Sequence, residues 1–345
     1  MDPHRLKRRG PSRACHGIAG VHGVSSDSVS ADFGTPGGRG YFRTGVDPAT
    51  LPSREIFQFA VPIMNDDPIR LSRTTHGLVA SRGEISGVLA EVTIDDVFGF
   101  ESAHGELERR LNDRVAAGQE LEGSLLPPIG QQEVWAAGVT YLRSRRARIE
   151  ESQKDADIYD RVYEATRPEL FFKASSHRVV GHRQPIVIRR DSNWNVPEAE
   201  LTLAVNAHGA IFGFTAGNDV SSRQLEGENP LYLSQAKIWD GSCSLGPSIV
   251  VTDSAPPEET AIAVTIERGQ KLLFHGETRL AEMKRSLDEL VEYLFSECSF
   301  PHGVFLMTGT GIVPEAELSL IPGDVVSIEI EGIGTLVNPV VRSEA

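Results

Sequence analysis

Hydrophobic and polar residues alternate along several short segments in the C-terminal half of the chain, and Gly, Asn or Pro separates these segments. Alternation with a period of two is typical of strands that bury one face. We therefore predict strands at residues 185–189, 201–206, 210–214, 248–252, 261–267 and 325–331. A similar segment, residues 87–94, predicts a strand nearer the N-terminus.

A helical pattern interrupts these strands near residue 290. Ser286 followed by Glu289 matches a capping box, in which each side chain satisfies a backbone N–H at the start of a helix. The apolar residues that follow fall on one helical face, namely Leu287, Leu290, Val291, Leu294, Phe295 and Cys298. We expect this face to pack on the core, which makes Cys298 a core residue rather than a nucleophile. Residues 107–117 have a second helical pattern.

Runs of strands with few helices predict an α+β fold. Residues 1–48 are rich in Gly, Ser, Arg and Pro without a sustained period, which predicts a disordered tail. Pro127 and Pro128 fit neither a helix interior nor a central strand, so we place a domain boundary there. Residues 49–130 are then a predicted small N-terminal α/β domain, and residues 131–345 are the predicted catalytic domain.

Composition excludes several classes of protein. The 34 lysines and arginines against 48 aspartates and glutamates give a formal net charge of −14, which opposes binding to nucleic acid. Cys15, Cys243 and Cys298 form no Cys-x-x-Cys pair, which predicts a reducing, cytoplasmic location and excludes a cysteine-rich zinc module. No apolar run approaches the roughly 18 residues of a spanning helix, so we expect neither a membrane partner nor a secretory signal.

Two glutamates separated by one residue, Glu198 and Glu200, open a predicted strand, and its period of two directs both side chains to the same face. A tight turn at residues 208–209 would pair residues whose numbers sum to 417 and place Asp219 opposite Glu198. A turn one residue earlier gives a sum of 415 and places Asp219 opposite Val196. In either register Asp219 shares the face of the two glutamates.

Three carboxylates within a few ångströms of one another repel and require a compensating cation. Oxygen ligands select hard ions such as Mg²⁺, Mn²⁺ or Ca²⁺ over zinc, and no histidine-rich spacing competes with them. A Glu-x-Glu pair is also common on the solvent-facing side of a strand. The pair alone therefore leaves both interpretations open.

Further motifs occur in a fixed order between Trp135 and Val340. They are Glu198-Ala199-Glu200, Asn218-Asp219-Val220-Ser221-Ser222-Arg223, Lys237 ahead of Gly246-Pro247, Gly323-Asp324-Val325-Val326, and Glu331-Gly332-Ile333-Gly334-Thr335-Leu336-Val337-Asn338. Together these motifs resemble those of the fumarylacetoacetate hydrolase family. Several ordered motifs at matching separation are far more specific than any one of them.

This resemblance implies a mixed β-sandwich and β-roll catalytic domain and a metal ion, usually Mg²⁺, held by Glu198, Glu200 and Asp219. It implies a small-molecule substrate that chelates the metal through a 2-oxo acid or β-dicarbonyl unit, so that the metal stabilises an enolate. It also implies a homodimer or a homotetramer.

The sequence departs from the hydrolytic members of that family at one motif. Those members carry Gly-x-Asn-Tyr-x-x-His-x-x-Glu, whose His–Glu pair activates water. In the run that begins at Gly138, Ser144 stands at the histidine position and Ala147 at the glutamate position. Without this pair C–C hydrolysis is disfavoured, unless a residue of the N-terminal domain substitutes for it.

Residues 225–238 resemble the 2-keto-3-deoxy-D-arabinonate dehydratase branch of the family. This resemblance implies that Lys237 and Thr310 are catalytic and that the substrate is bound by Arg143, Arg223 and Gly309. For Arg223, support of the metal ligands is the favoured role over direct substrate contact.

We therefore predict a metal-dependent hydro-lyase that converts a 2-keto-3-deoxy-pentonate into 2,5-dioxopentanoate, in which Lys237, or a water that it positions, removes a proton from C3. Two alternatives remain. A hydrolase of acylpyruvates or fumarylpyruvate, or a related decarboxylase, would use the same metal site and release no aldehyde. A binding module would turn over no 2-oxo acid.

Overall fold

The computed structural model describes residues 67–113, 123–144 and 161–343. All of them belong to one unit, Gln58–Ala345. The predicted disordered tail, residues 1–48, lies outside the described residues.

Strands dominate the described chain. Their bounds are β1 Ile69–Thr74, β2 Gly77–Arg82, β3 Ile85–Leu89, β4 Glu133–Gly138, β5 Glu169–Ser175, β6 Val179–Val180, β7 Ile186–Ile188, β8 Asn195–Val196, β9 Ala199–Val205, β10 Ile211–Asp219, β11 Ser221–Ser222, β12 Cys243–Val251, β13 Ala261–Arg268, β14 Lys271–Arg279, β15 Val304–Met307, β16 Asp324–Ile330 and β17 Gly334–Arg342. The α-helices with defined bounds are α1 Ile94–Gly99, α2 Ala103–Asp113, α3 Arg223–Glu228, α4 Leu233–Lys237 and α5 Leu287–Phe295. Short 3₁₀ helices occur at Ser176–Arg178, Pro230–Tyr232 and Leu280–Glu282.

A long sheet carries the candidate site. Its strand order is β3-β2-β1-β12-β10-β9-β15-β4-β5, with β6 paired to β12. Most neighbours in it are antiparallel, whereas β15 and β4 run parallel. Strand β1 pairs with β12, so residues 69–89 extend the same sheet that contains the acidic strand. The predicted division of the chain at residue 130 stays a prediction.

A second sheet covers one face of the long one. Its order is β14-β13-β16-β17-β7, and a separate pair joins β8 to β11. Leu201 and Leu203 of β9 pack in one hydrophobic cluster with Val264 and Ile328 of this second sheet. The opposite face of the long sheet packs against α1 and α2, for instance through Val97. Strand β9 is therefore buried on both faces.

The predicted strands all form, as β7, β9, β10, β12, β13 and β16, with most bounds shifted by one or more residues. The prediction for residues 87–94 is wrong beyond Leu89, where β3 ends. Thr93 instead caps α1: its Oγ1 accepts from Asp96 N at 3.2 Å, and the Asp96 carboxylate accepts from Thr93 N at 2.8 Å. This capping box outweighs the local alternation of apolar residues.

Helix α5 begins where the capping pattern predicts, and Ser286 Oγ accepts from Glu289 N at 3.1 Å. Leu290 and Leu294 are buried as predicted. The helix ends at Phe295, however, and Cys298 beyond it is exposed, so its predicted place in the core is wrong. Helix α2 starts earlier than predicted, at Ala103, and residues 114–117 lie outside the described part. No helix in the described ranges is long and apolar enough to cross a membrane.

Candidate metal centre and active site

The hairpin between β9 and β10 sets the register of the acidic residues. Asn206 Oδ1 accepts from His208 N at 3.0 Å and from Ala210 N at 2.9 Å, and Gly209 between them adopts a φ of +82°. After an irregularity near Ile211, paired residues of the two strands have numbers that sum to 417. This confirms the first of the two predicted registers and excludes the sum of 415.

Three carboxylates converge at the open end of this hairpin. One oxygen each from Glu198, Glu200 and Asp219 lies within 4.8 Å of the others, and their side chains are nearly inaccessible, at 3%, 2% and 1% exposure. Because both faces of β9 are buried, the solvent-facing interpretation of the Glu-x-Glu pair is wrong. Three buried oxygen donors fit a hard divalent ion.

Buried cations surround these acids. The Lys237 amine donates to Glu198 Oε2, to Asp219 Oδ2 at 3.1 Å and to Ser221 Oγ at 2.6 Å. Lys173 Nζ lies 2.5 Å from Asp219 Oδ1. Arg223 Nη2 lies 2.8 Å from Glu198 Oε1. The charge-assisted bonds hold the carboxylates in one arrangement.

A fourth buried acid, Glu226, belongs to the same network. Its carboxylate lies 3.3 Å from Lys237 Nζ and 3.5 Å from Arg223 Nη1. Helix α3 supplies Arg223 and Glu226 one turn apart, and Ser222 caps this helix by accepting from Leu225 N at 3.3 Å. The cap therefore fixes the turn that carries both charges.

Glu200 differs from its neighbours because it has no cation within salt-bridge distance in the described residues. Its Oε2 accepts from Gly309 N at 2.6 Å. Burial, and then the charges of Asp219 and Glu198, raise the pKa of Glu200 well above its ordinary value, against the opposing effect of Lys237. A site that forces a proton onto a carboxylate is one that a divalent cation would stabilise in its place, so these residues fit a metal.

Gly309 has the conformation that this contact requires. Its φ is +90°, and a Cβ there would overlap Thr140 Oγ1. Thr140 in turn donates to Thr308 O at 2.7 Å, which fixes the loop after β15. Only glycine brings its N–H to Glu200 in this loop without strain.

The pocket at this site is lined by Ala137, Gly138, Val139, Ser144, Val162, Glu169, Phe171, Glu198, Glu200, Asp219, Glu226, Pro230, Leu233, Lys237, Gly309 and Thr310. It thus brings together the predicted metal ligands with three further predicted site residues, Lys237, Gly309 and Thr310. The remaining two lie elsewhere: Arg223 is buried behind Glu198, and Arg143 is exposed and does not line the pocket. Its predicted substrate contact stays a prediction.

A family described as "Fumarylacetoacetate (FAA) hydrolase C-terminal" has a sequence model that matches residues 134–341. The chain belongs to the fumarylacetoacetate hydrolase family. The predicted membership and the predicted α+β fold are both confirmed.

Two curated relatives are similar over most of their length. The chain is 43% identical over 275 residues to the "Probable 2-keto-3-deoxyxylonate dehydratase" of Haloferax volcanii, which covers 76% of this chain and 94% of the relative. It is 42% identical over 217 residues to the "2-dehydro-3-deoxy-D-arabinonate dehydratase" of Saccharolobus solfataricus, with 62% of this chain and 73% of the relative covered.

A solved structure of the family has the same fold. It is described as "2-keto-3-deoxy-D-arabinonate dehydratase complexed with magnesium and 2,5-dioxopentanoate". The TM-score is 0.66 at 31% sequence identity, and the match covers 80% of this chain and 99% of that chain.

Ser144, which stands at the position of the hydrolytic histidine, offers no free base to a water molecule in this protein. Ser144 is 7% exposed, and its hydroxyl donates to Tyr141 O at 2.8 Å within its own turn. Ala147, at the glutamate position, lies outside the described residues. A hydroxyl tied to a neighbouring carbonyl does not replace a His–Glu pair as a base for water.

Sequence reasoning missed three charged residues of the site, Lys173, Glu169 and Glu226. Lys173 follows the apolar run Leu170-Phe171-Phe172, and a lysine within a strand that is otherwise apolar is a signal that could have identified it. Glu169 lines the pocket beside Gly138, where a Cβ would overlap the Glu169 carboxylate. Glu226 had no such signal, because acidic residues are ordinary in short helices.

Proposed function

We propose that this protein is a metal-dependent hydro-lyase that converts a 2-keto-3-deoxy-pentonate into 2,5-dioxopentanoate. One observation carries the proposal: the Lys237 amine lies against two of three clustered carboxylates in a pocket where Ser144 replaces the hydrolytic histidine. The two dehydratases described above, both similar to this chain, support the same reaction.

Glu198, Glu200 and Asp219 would hold the metal, with Mg²⁺ the proposed ion and Mn²⁺ or Ca²⁺ as alternatives. Such an ion supplies positive charge for the negative charge that develops on the substrate oxygens. Arg223 orients Glu198 from behind, and the Gly309 N–H orients Glu200. These contacts leave the acids preorganised before substrate arrives.

Lys237 is the proposed base. Its Nζ takes a proton from C3 of the substrate, and the hydroxyl departs from C4 with a proton, so that one water leaves in all. Tautomerisation through C5 then gives the aldehyde. Ser221 Oγ and Glu226 hold the amine from two sides, which fixes its position relative to the acids. Thr310, at 5% exposure, contributes a pocket wall for substrate binding.

The proposed substrate has a single stereocentre, at C4. Loss of water across C2 and C3 of a pentonate removes the two centres at which xylonate and arabinonate differ. The two relatives' names therefore describe 2-keto-3-deoxy-pentonates in which only C4 is a stereocentre. Both C4 configurations have to be tested.

The deciding experiment is incubation of the purified protein with Mg²⁺ and each enantiomer of 2-keto-3-deoxy-arabinonate, coupled to an aldehyde dehydrogenase that reports the semialdehyde. We expect product from one enantiomer, and we expect EDTA to abolish it. If neither enantiomer gives the semialdehyde, the proposal is contradicted. Conversion of acylpyruvates into acids, without release of an aldehyde, would instead favour a hydrolase.

We also propose a homodimer or a homotetramer and a cytoplasmic location. The family resemblance supports the first, and the cysteine pattern supports the second. Sedimentation equilibrium of the full chain measures the oligomeric state directly, and a monomer would contradict that part.

A further inference from the structure

Lys173 is a fully buried cation of the site that has no role in the proposed reaction. Its side chain is 0% exposed and does not line the pocket. Nζ lies 2.5 Å from Asp219 Oδ1, and it donates to the carbonyl oxygens of Val220 at 3.0 Å and Lys237 at 2.5 Å. Lys173 thus touches a proposed metal ligand and the backbone of the proposed base, without contact to the substrate pocket.

A β-bulge in β5 places Lys173 next to the acidic cluster. The register between β4 and β5 shifts at this point, because Val134 pairs with Ala174 and Trp135 pairs with Phe172. Lys173 between them has no paired residue in β4. A bulge redirects a side chain relative to a regular strand and is common next to active sites.

The buried charges of the site have a simple balance. Four acids and three bases are each less than 9% exposed, namely Glu198, Glu200, Asp219 and Glu226 against Lys173, Arg223 and Lys237. With the acids ionised and Lys237 as the neutral amine that the proposed base requires, the positive charges are those of Lys173 and Arg223, and the formal sum is 2 − 4 = −2. A divalent cation changes the sum to zero, and removal of the Lys173 charge would change it to −1.

We propose that Lys173 is a positioning residue whose buried positive charge keeps the metal-loaded site from repelling anions and thereby strengthens the binding of 2-oxo acids. This assignment rests on the proposed function of the same site. Without Lys173 the loaded site carries a formal charge of −1 and repels an anion. In a water-poor site a unit charge acts strongly over several ångströms, so the loss is measurable as affinity.

A charge effect differs from a loss of shape in one measurable respect. The interaction of a fixed charge with a ligand is proportional to the ligand's charge. Pyruvate and oxalate have almost the same size and chelate metals in the same way, but pyruvate carries one negative charge and oxalate carries two. Removal of a positive charge therefore lowers the logarithm of the affinity twice as much for oxalate as for pyruvate. Distortion of the site lowers the two affinities by the same factor.

The test is isothermal titration calorimetry of the full chain, first with Mg²⁺ and then, after loading, with pyruvate and with oxalate. For Lys173→Met we expect Mg²⁺ affinity at least equal to wild type, pyruvate affinity reduced about tenfold and oxalate affinity reduced about a hundredfold. For Lys173→Arg, which keeps the positive charge, we expect the wild-type affinity for both anions. Arg178→Met removes a half-buried cation that pairs with Asp240, three residues after β5 ends, and serves as the control, with neither affinity changed.

Glu226→Gln provides the opposite change, because it removes a buried negative charge from the same network. We expect this variant to raise the affinity for oxalate more than the affinity for pyruvate. In the double variant with Lys173→Met, we expect the ratio of the two affinities to return to the wild-type value. This variant also carries the test if Lys173→Met does not fold.

Equal losses of the two anions in Lys173→Met, loss of Mg²⁺ binding in that variant, or an unchanged ratio in Glu226→Gln would overturn the assignment. Failure of the proposed function has a different signature, since neither enantiomer of the 2-keto-3-deoxy-pentonate would then give the aldehyde, whatever the affinities for pyruvate and oxalate. If the wild-type protein binds neither anion in the presence of Mg²⁺, the assignment of Lys173 is also overturned.

Discussion

The backbone N–H of Asp219 donates a 3.0 Å hydrogen bond to the carbonyl oxygen of Glu198. The same ladder that pairs β9 with β10 therefore brings the carboxylates of the proposed metal site together. A slip of one residue in this register would direct Asp219 to the opposite face. The proposed metal site thus depends on the hairpin register as much as on the acidic residues.

Glu200→Gln removes the acid whose pKa is raised most clearly. We expect the variant to lose Mg²⁺-dependent thermal stabilisation and activity, because an amide offers no charge to a divalent ion. Without metal it will be at least as stable as wild type, since burial of an unpaired carboxylate opposes folding. Thermal shifts with and without Mg²⁺ measure both effects. A Glu200→Gln protein that Mg²⁺ still stabilises would contradict the assignment of this ligand.

Lys237→Met removes the proposed base and keeps the length and apolar character of the side chain. We expect kcat to fall by about a hundredfold or more, while Mg²⁺ still binds, because loss of a positioned proton acceptor affects the chemical step. Steady-state kinetics together with Mg²⁺ titration separates the two effects. The matched control is Lys271→Met on the exposed end of β14, which should leave kcat unchanged. Turnover near the wild-type rate in Lys237→Met would exclude it as the base.

Gly309→Ala tests the loop that holds Glu200. A φ of +90° is unfavourable for alanine, and its Cβ would overlap Thr140 Oγ1. We expect a loss of about 1–3 kcal/mol in the free energy of unfolding and a weaker Mg²⁺ affinity, because the N–H moves away from Glu200. Gly323→Ala, also at positive φ but with open space around it, is the control for backbone strain alone. Equal Mg²⁺ affinity in both variants would show that Gly309 does not support Mg²⁺ binding at the site.

His182 links stability to pH at a position away from the acidic site. Its Nδ1 accepts from Val337 N at 3.2 Å, and burial, followed by the charge of Arg183, lowers its pKa to about 4. A histidine whose pKa is depressed in the folded state contributes stability that is complete above its unfolded value of 6.5. That stability is lost as the pH falls from 6.5 towards 4.

His182→Asn keeps an acceptor for the Val337 N–H and does not titrate. We therefore expect the stability advantage of wild type over the variant to shrink by about 2–3 kcal/mol between pH 7.5 and pH 4.5. Urea unfolding at the two pH values measures it. Parallel pH dependence in the two proteins would show that His182 is not the group responsible.

The local pattern of the chain determined most of the acidic strand. The period of two put Glu198 and Glu200 on one face, and His208 with Gly209 indicated a tight turn, because both effects depend only on neighbouring residues. The family motifs added Lys237 and Thr310 as site residues by position. Two registers nevertheless remained, since turn chemistry alone did not distinguish them.

Tertiary structure decided the rest. Only the packing of a second sheet and two helices against the long sheet buries both faces of β9, which turns an ordinary Glu-x-Glu pair into a cluster that needs a cation. Lys173 on β5 and Glu226 on α3 reach that cluster through contacts distant in sequence, and Cys298 is exposed because α5 ends at Phe295. Sequence periodicity describes one element at a time, whereas the charge of a buried site depends on which elements meet there.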